Sequence, residues 1–291
     1  MIYDIRQTTS YAYASTVVHA RHALRVMPAL RDGQRVHAAV LDIEPKPARA
    51  TETLDFFGNR LTLIELAEPH ATLTMKLSAR IAVENPPPLD PDKTPAWEAV
   101  RASAFGSADL GAESPVHYLY PSRQISLDPE IRDYARQSFA PGRPVLAAAV
   151  DLMKRIQADF TYEVGATNVT TTPSMSFALR RGVCQDFAHI MISGLRGLGL
   201  PAAYVSGYLR TVAREGEKRL EGADAMHAWV MVWCGEAGWR ALDPTNALVV
   251  ADDHIALTVG RDYADVAPID GVVVSFGGQN LKVAVDVIPV A

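Results

Sequence analysis

The stretch Gly182-Val183-Cys184-Gln185-Asp186-Phe187-Ala188-His189 opens the segment that decides the fold, which continues to Leu200. Apolar residues recur along this segment at intervals of three and four, as on one face of an α-helix. These residues are Val183, Phe187, Ile190, Met191, Gly194, Leu195 and Leu198. Gly199 stands where a glycine commonly ends a helix, and Pro201 cannot continue one. The sequence therefore predicts a buried helix of about four turns that begins beside Cys184.

Cys184 lies in the first turn of this predicted helix. Unpaired N–H groups and the positive end of the helix dipole favour a thiolate at such a position. Its polar neighbours Gln185 and Asp186 are unusual around a cysteine that only fills a core. A buried structural cysteine is the alternative, and it is our interpretation of Cys234, which follows a predicted strand and has no polar cluster around it. We therefore take Cys184 as the candidate nucleophile.

A nucleophilic cysteine needs a base and a group that orients the base. His227 lies in the hydrophobic predicted strand Met226–Trp233, and Asp243 ends the next predicted strand. Each residue alone has an ordinary interpretation, as a core histidine and as an aspartate that starts a turn. Strands this close in sequence can pair as a hairpin, which would set Asp243 beside His227. Cysteine at a helix start, then histidine and aspartate on adjacent strands, is the papain-like arrangement.

The rest of the chain predicts two structural classes. Short segments rich in Val, Ile, Leu and Thr, separated by Gly, Pro and Asp, are typical of a β-sandwich. These predicted strands are Ile2–Ile5, His22–Val26, Val36–Ile43, Asn59–Glu65 and Thr72–Val83. After a proline-rich stretch, the helix Val145–Phe160, a short helix around Ser176–Arg180 and the strands Ala202–Leu209, Met226–Trp233 and Gly238–Leu242 indicate an α+β domain. Val272–Phe276 and Leu281–Val287 are predicted to form a closing hairpin.

Four prolines between residues 85 and 91 predict an extended linker, and we place the domain boundary there. We predict a β-sandwich domain over residues 1–84, a linker and helical segment over 85–155, and a catalytic domain with the C-terminal hairpin over 156–291.

The motif at Cys184 resembles the core of the bacterial transglutaminase-like superfamily. Further matches are the stretches 199–209, Ala225–Val230, Leu242–Asn246 and 254–268, and in the first domain 25–28 and 55–59. The resemblance implies an α+β fold, with a papain-like cysteine-hydrolase domain preceded by an all-β sandwich. It implies that Cys184 is the nucleophile, His227 the base and Asp243 the residue that orients the base.

The resemblance also implies a reaction class, in which a thiolate attacks a glutamine or peptide amide and forms a thioester. Water then completes hydrolysis, and an amine completes transamidation. We expect a hydrolase of peptide or protein amides, because no amine-donor site is evident and the charged loop Arg214–Asp224 is a poor barrier to water. The alternatives are a protein-crosslinking transglutaminase and a non-catalytic protein-binding module.

Several other residues near the motif have predicted roles. The Cys184 N–H and a second donor, Gln185 or Tyr162, are candidates to hold the oxyanion. Asp186 is expected to form a hydrogen bond at the helix start, and His189 to make a structural contact. Trp229 either lines the cleft or fills the core.

Composition excludes other classes of function. The 291 residues carry 28 Lys and Arg against 33 Asp and Glu, a net charge of −5 with no basic run, which argues against nucleic-acid binding. No apolar run approaches the roughly 18 residues of a membrane span, and the first residues lack a signal-peptide pattern. With two cysteines, we expect a cytoplasmic protein. We expect no cofactor, and no catalytic metal at His254, Asp262 and Asp265, which lack metal-binding spacing. The sequence does not indicate the oligomeric state.

Overall fold

A computed structural model describes residues 1–84, 88–211 and 224–290 of the chain. Its first six strands are β1 (Ile2–Val17), β2 (His19–Leu24), β3 (Gln34–Glu44), β4 (Arg49–Leu54), β5 (Arg60–Leu66) and β6 (His70–Val83). The described helices are α1 (Trp97–Phe105), α2 (Pro129–Arg136), α3 (Val145–Asp159), α4 (Pro173–Leu179), α5 (Cys184–Gly197) and α6 (Tyr263–Val266). The later strands are β7 (Thr161–Tyr162), β8 (Arg181–Gly182), β9 (Ala202–Leu209), β10 (Ala225–Trp233), β11 (Trp239–Asp243), β12 (Leu248–Val249), β13 (His254–Gly260), β14 (Ile269–Val274) and β15 (Gln279–Val290).

Two four-stranded antiparallel sheets form the predicted β-sandwich, in the orders β15-β1-β6-β3 and β14-β2-β5-β4. Side chains alternate between the two faces of a strand, and β1 accordingly buries every second residue over most of its length. Residues of both sheets share one core, including Tyr11, Leu24, Ile64 and Leu73. Strand β4 was not predicted, because all six of its residues are exposed and none provides an alternating apolar signal.

The two C-terminal strands correct the predicted hairpin. β14 pairs with β2 and β15 pairs with β1, so each strand extends a different sheet of the sandwich. The β15–β1 ladder runs from Ile2 opposite Val290 to Tyr13 opposite Gln279. A ladder of this length satisfies more backbone groups than a short local hairpin would, and the hydrophobic pattern alone cannot distinguish the two pairings. The sandwich therefore contains both ends of the chain, whereas the domain boundaries stay a prediction.

The second part of the chain contains a five-stranded antiparallel sheet in the order β12-β11-β10-β9-β13, with α5 packed against it. Helices α3 and α5 and strand β9 confirm the predicted segments. Gly199 has φ +79°, which is the left-handed conformation expected after a helix end. At Gly194 a Cβ atom would lie 2.8 Å from the Ala135 Cβ, so a glycine lets α2 cross α5 closely.

The sandwich meets the edge of this five-stranded sheet through two buried side-chain amides. Gln34 donates to the Ala256 carbonyl at 2.8 Å and accepts from the Ala256 N–H at 3.0 Å. Asn59 makes the same pair of bonds with Val259, both at 2.8 Å. Strand β13 is at the edge of its sheet, so one side of its backbone has no neighbouring strand in that sheet. The two amides form hydrogen bonds with this side of the backbone, as a neighbouring strand would. None of the described helices is both long and apolar enough to cross a membrane.

Candidate active site

Cys184 is the first residue of α5 and is partly buried. The helix start is stabilised by Asp186, whose Oδ2 accepts the Val183 N–H at 2.8 Å and the Thr167 hydroxyl at 2.6 Å. The helix-start role predicted for Asp186 is therefore confirmed. A Cβ at Gly182 would lie 2.6 Å from the Asp186 carboxylate, so only a glycine lets the chain enter the helix this tightly. These contacts position the thiol at the end of a buried helix.

The structure brings His227 and Asp243 together with this thiol. Strands β10 and β11 pair antiparallel, with Val230 opposite Leu242, as the sequence predicted. His227 Nε2 lies 2.8 Å from Asp243 Oδ2, and the Cys184 thiol is near enough to the same imidazole to contribute to its raised pKa. Because Asp243 occupies Nε2, Nδ1 is the ring nitrogen left for the thiol. The thiol at the helix start thus lies beside the hydrogen-bonded His227–Asp243 pair of the sheet.

Asp243 is fully buried and accepts five hydrogen bonds. Its Oδ1 accepts the N–H groups of Thr245 at 2.9 Å and Asn246 at 3.2 Å. Its Oδ2 accepts His227, the Asn246 amide at 2.7 Å, and His254 Nε2 at 3.1 Å. A carboxylate held from both oxygens in this way cannot rotate without losing bonds, so it holds the His227 ring in one orientation.

The electrostatics favour an ionised aspartate beside a protonated histidine. Burial on its own raises the pKa of Asp243, but the hydrogen bonds from His227 and His254 outweigh burial and hold that pKa well below its ordinary value. Burial likewise lowers the pKa of His227, whereas its hydrogen bonds to Asp243 and Cys184 raise it to about 9. An imidazole of this basicity is suited to accept the proton of a thiol.

Sequence reasoning did not assign His254 to this site, although it lies at the start of a segment that carries the family resemblance. His227, Asp243 and His254 are, within the described ranges, the group of side chains close enough to hold a metal ion, with ligand atoms within 4.8 Å of one another. The Nε2 atoms of both histidines, however, are the atoms that donate to Asp243. We therefore interpret the cluster as a hydrogen-bond network.

Two family profiles match the chain. The bacterial transglutaminase-like N-terminal region matches residues 3–82, and the transglutaminase-like superfamily matches residues 132–244. An uncharacterised protein of Mycobacterium tuberculosis is 37% identical over 297 aligned residues, which cover 99% of this chain and 92% of that protein. The chain belongs to the transglutaminase-like superfamily.

Two further similarities extend this assignment. A Pseudomonas aeruginosa protein named protein-glutamine gamma-glutamyltransferase is 31% identical over 146 residues, which cover 48% of this chain and 22% of that protein. The crystal structure of a proposed cysteine protease from Cytophaga hutchinsonii has a TM-score of 0.77 at 21% identity, over 100% of this chain and 92% of that one. The second similarity confirms the fold: an α+β, papain-like transglutaminase core preceded by a β-sandwich.

Gln185 and Tyr162 are the two residues predicted as candidates for the second oxyanion donor. The Gln185 amide donates one of its N–H groups to the Val169 carbonyl at 3.3 Å. Tyr162 is 53% exposed, and its pKa is raised, first by partial burial and then by the neighbouring Cys184. Tyr162 thus lies near the thiol with its hydroxyl uncommitted to any hydrogen bond among the described residues.

The remaining residues that the sequence singled out belong to the core. His189 accepts the Tyr263 N–H at 3.2 Å, and burial lowers its pKa to about 4, so it has a structural contact as predicted. Trp229 is buried and packs near both His227 and His254, which places it in the core beneath the site. Cys234 is fully buried, and burial raises its pKa to about 12.

Proposed function

We propose that this protein is a cysteine-dependent hydrolase of amide or peptide bonds, with Cys184 as nucleophile, His227 as base and Asp243 as the orienting residue. The position of Cys184 at the start of helix α5, beside the hydrogen-bonded His227–Asp243 pair, carries the proposal. The same combination of nucleophile, base and orienting residue catalyses acyl transfer on unrelated folds, because the reaction depends on the relative positions of these groups and not on the fold that carries them.

In the proposed reaction, His227 takes the proton of the Cys184 thiol and the sulfur attacks the carbonyl carbon of the amide. The carbon–sulfur bond forms as the carbonyl π-electrons move to oxygen, where the N–H groups at the start of α5 stabilise the negative charge. The imidazolium of His227 then protonates the leaving amine, and the carbon–nitrogen bond breaks to leave a thioester. Asp243 supports the charged imidazole throughout.

Hydrolysis of the thioester completes the cycle. His227 takes a proton from water, the hydroxide equivalent attacks the thioester carbon, and the thiolate leaves and is reprotonated. Partial exposure of Cys184, with the half-exposed Tyr162 beside it, supports access of water to the thioester. The charged loop Arg214–Asp224, from which the sequence predicts access of water, lies outside the described part of the chain at residues 214–223.

Transamidation is the second candidate, favoured by the similarity to the Pseudomonas protein named as a glutamyltransferase. Both candidates use the same thioester, so they differ only in the acceptor. A non-catalytic binding module would not need an ionised aspartate buried against a histidine, which argues against the third alternative. We also propose that the protein is cytoplasmic and that its substrate is a peptide or protein.

Capture of the thioester tests the proposal. The full chain is incubated with a library of glutamine-bearing and short peptides, quenched in acid, and digested for mass spectrometry. We expect an acyl adduct on the peptide that contains Cys184 and none on the peptide that contains Cys234. The Cys184→Ala protein is the matched control. Release of product from the library by Cys184→Ala at the native rate would refute the proposed function.

A further inference from the structure

A second imidazole lies on the carboxylate of Asp243. His254 is 6% exposed, and its Nε2 lies 3.1 Å from Asp243 Oδ2, the oxygen that also binds His227. The buried Nδ1 of His254 has no hydrogen-bond partner among the described residues. A neutral ring with its proton on Nε2 fits both observations, because Nε2 then donates and no proton is left unpaired at Nδ1.

Packing holds this imidazole in place. The His254 ring meets the Trp229 ring edge-on, with 5.2 Å between the ring centres and 80° between the planes. Trp229 passes over Gly207, where a Cβ would lie 2.5 Å from the indole. A side chain at position 207 would therefore separate Trp229 from the strand that carries His254.

The N-terminal sandwich holds the same strand on both sides of His254. The Tyr3 hydroxyl donates to the Asp253 carboxylate at 3.2 Å, one residue before His254. Gln34 makes its two bonds to Ala256, two residues after it. Strand β13 therefore depends on the sandwich for contacts that an edge strand lacks on its own.

We propose that His254 is a positioning residue, which donates to Asp243 and keeps that carboxylate ionised and aimed at His227, and that the sandwich holds His254 in place through Gln34. The inference rests on the proposed function, because it concerns the same thiol and base. The charged and titratable groups around His254 are Asp243, His227 and the Arg210–Asp253 pair, whose charged atoms lie 3.0 Å apart.

The test measures the rate of Cys184 alkylation by iodoacetamide at pH 5.5 and pH 9, which needs no substrate. At pH 9 a thiol reacts without help, whereas at pH 5.5 it needs an imidazolium partner to form a thiolate. The rate at pH 5.5 divided by the rate at pH 9 therefore measures how far the Cys184–His227 pair favours the thiolate. We expect His254→Phe, which keeps an aromatic ring but has no donor, to lower this ratio about tenfold, the typical effect of one lost bond to a charged group.

His254→Gln supplies an amide N–H near the former Nε2 and should restore the ratio to within about threefold of the native value. Circular dichroism and thermal unfolding accompany each variant. A role in packing alone would change the thermal midpoint and leave the rate ratio unaltered in both variants. An unaltered ratio in folded His254→Phe would therefore overturn the positioning role.

Gln34→Ala tests the contribution of the sandwich, with Gln279→Ala as the matched control because Gln279 is exposed on β15. We expect Gln34→Ala to lower the rate ratio in the same direction as His254→Phe and Gln279→Ala to leave it unchanged. A native ratio in Gln34→Ala would refute the link to the sandwich. Failure of the proposed function is distinct, since Cys184 of the unmodified protein would then show no enhanced alkylation at pH 5.5.

Discussion

Five hydrogen bonds end on the carboxylate of Asp243, and this concentration explains much of the site at the scale of single residues. A buried carboxylate is unfavourable unless its oxygens are satisfied, and here both are. The satisfied carboxylate in turn makes His227 more basic, and His227 contacts the thiol. Reactivity of Cys184 is therefore expected to depend on residues that never touch a substrate.

Cysteine labelling provides the first prediction at this scale. Iodoacetamide near neutral pH should modify Cys184 well before Cys234, because Cys184 is accessible beside an imidazole whereas burial raises the pKa of Cys234 to about 12. Peptide mapping of a labelling time course measures the two rates. Equal rates, or faster labelling of Cys234, would remove Cys184 as the nucleophile.

Substitution of the three proposed catalytic residues provides the second prediction. We expect Cys184→Ala to abolish turnover and His227→Ala to reduce kcat by on the order of 10⁴-fold. Asp243→Ala should retain weak activity, because an orienting residue does not itself transfer the proton. Circular dichroism checks that all three variants fold. If His227→Ala kept most of the activity on a confirmed substrate, another histidine would have to be the base.

The pKa of His227 makes stability depend on pH. The folded value of about 9 exceeds the ordinary 6.5, so folding favours the protonated imidazole. This contribution is fully present below pH 6.5 and is lost as the pH rises towards 9. We expect the difference in free energy of unfolding between the native protein and His227→Gln to shrink over that interval, as measured by urea denaturation at pH 6.0, 7.5 and 9.0. A difference that stays constant would contradict the raised pKa.

Among elements, strand β9 contains a glycine that no larger residue can replace without a clash. Gly207 lies between two strands of the five-stranded sheet, opposite His227 of β10 on one side and Ala256 of β13 on the other. A Cβ there would lie 2.2 Å from the Ile255 carbonyl oxygen and 2.5 Å from the Trp229 ring. The backbone oxygen belongs to a paired strand and cannot move aside alone, so both neighbouring strands would have to shift.

Gly207→Ala is therefore expected to lower the free energy of unfolding by about 2–3 kcal/mol, in the range of an overpacked core. Amide hydrolysis should fall as well, because His227 and His254 lie on the displaced strands. Gly278→Ala is the matched control, since a Cβ at Gly278 meets nothing within 4 Å. Its stability should stay within about 0.5 kcal/mol of the native value by urea denaturation. A native-like Gly207→Ala protein would show that the sheet can relax at this point.

For the molecule as a whole, the sandwich and the five-stranded sheet form one packed unit. A single apolar cluster contains Tyr3, Ile81 and Val287 of the sandwich together with Tyr208 and Ile255 of the sheet. The Tyr208 hydroxyl also donates to the buried Gln7 side chain. The long strands of the sandwich thus pack against its second sheet along one part of their length and against the five-stranded sheet along another.

The proportion of hydrolysis to transamidation is the prediction at this scale. Water is present at about 55 M, so an amine competes only if the cleft orients it and excludes water. We expect millimolar lysine or cadaverine to divert a minor share of product from a glutamine or short-peptide substrate. Mass spectrometry of the products measures that share, with Cys184→Ala as the blank. An amine adduct as the main product would replace the hydrolase with the crosslinking enzyme.

Local patterns in the sequence were sufficient to predict helix α5 and the strand that carries His227. They were also sufficient to predict that the first domain is a β-sandwich. Helical spacing and alternation depend on neighbouring residues, and the apolar faces of these elements are clear. The hairpin of β10 and β11 followed from sequence proximity, and it set Asp243 beside His227. The sequence also indicated the glycine that ends α5.

Only the tertiary structure decided the partners of β14 and β15, the docking of the sandwich on β13, and the position of His254 at Asp243. β15 pairs with β1 across almost the full length of the chain, and a periodic pattern does not name a distant partner. Gln34 and Ala256 are 222 residues apart, so no local sequence pattern could predict the hydrogen bonds between them. His254 contacts Asp243 directly, and the Trp229 ring that packs against His254 has room because position 207 is a glycine, so this contact depends on packing in three dimensions.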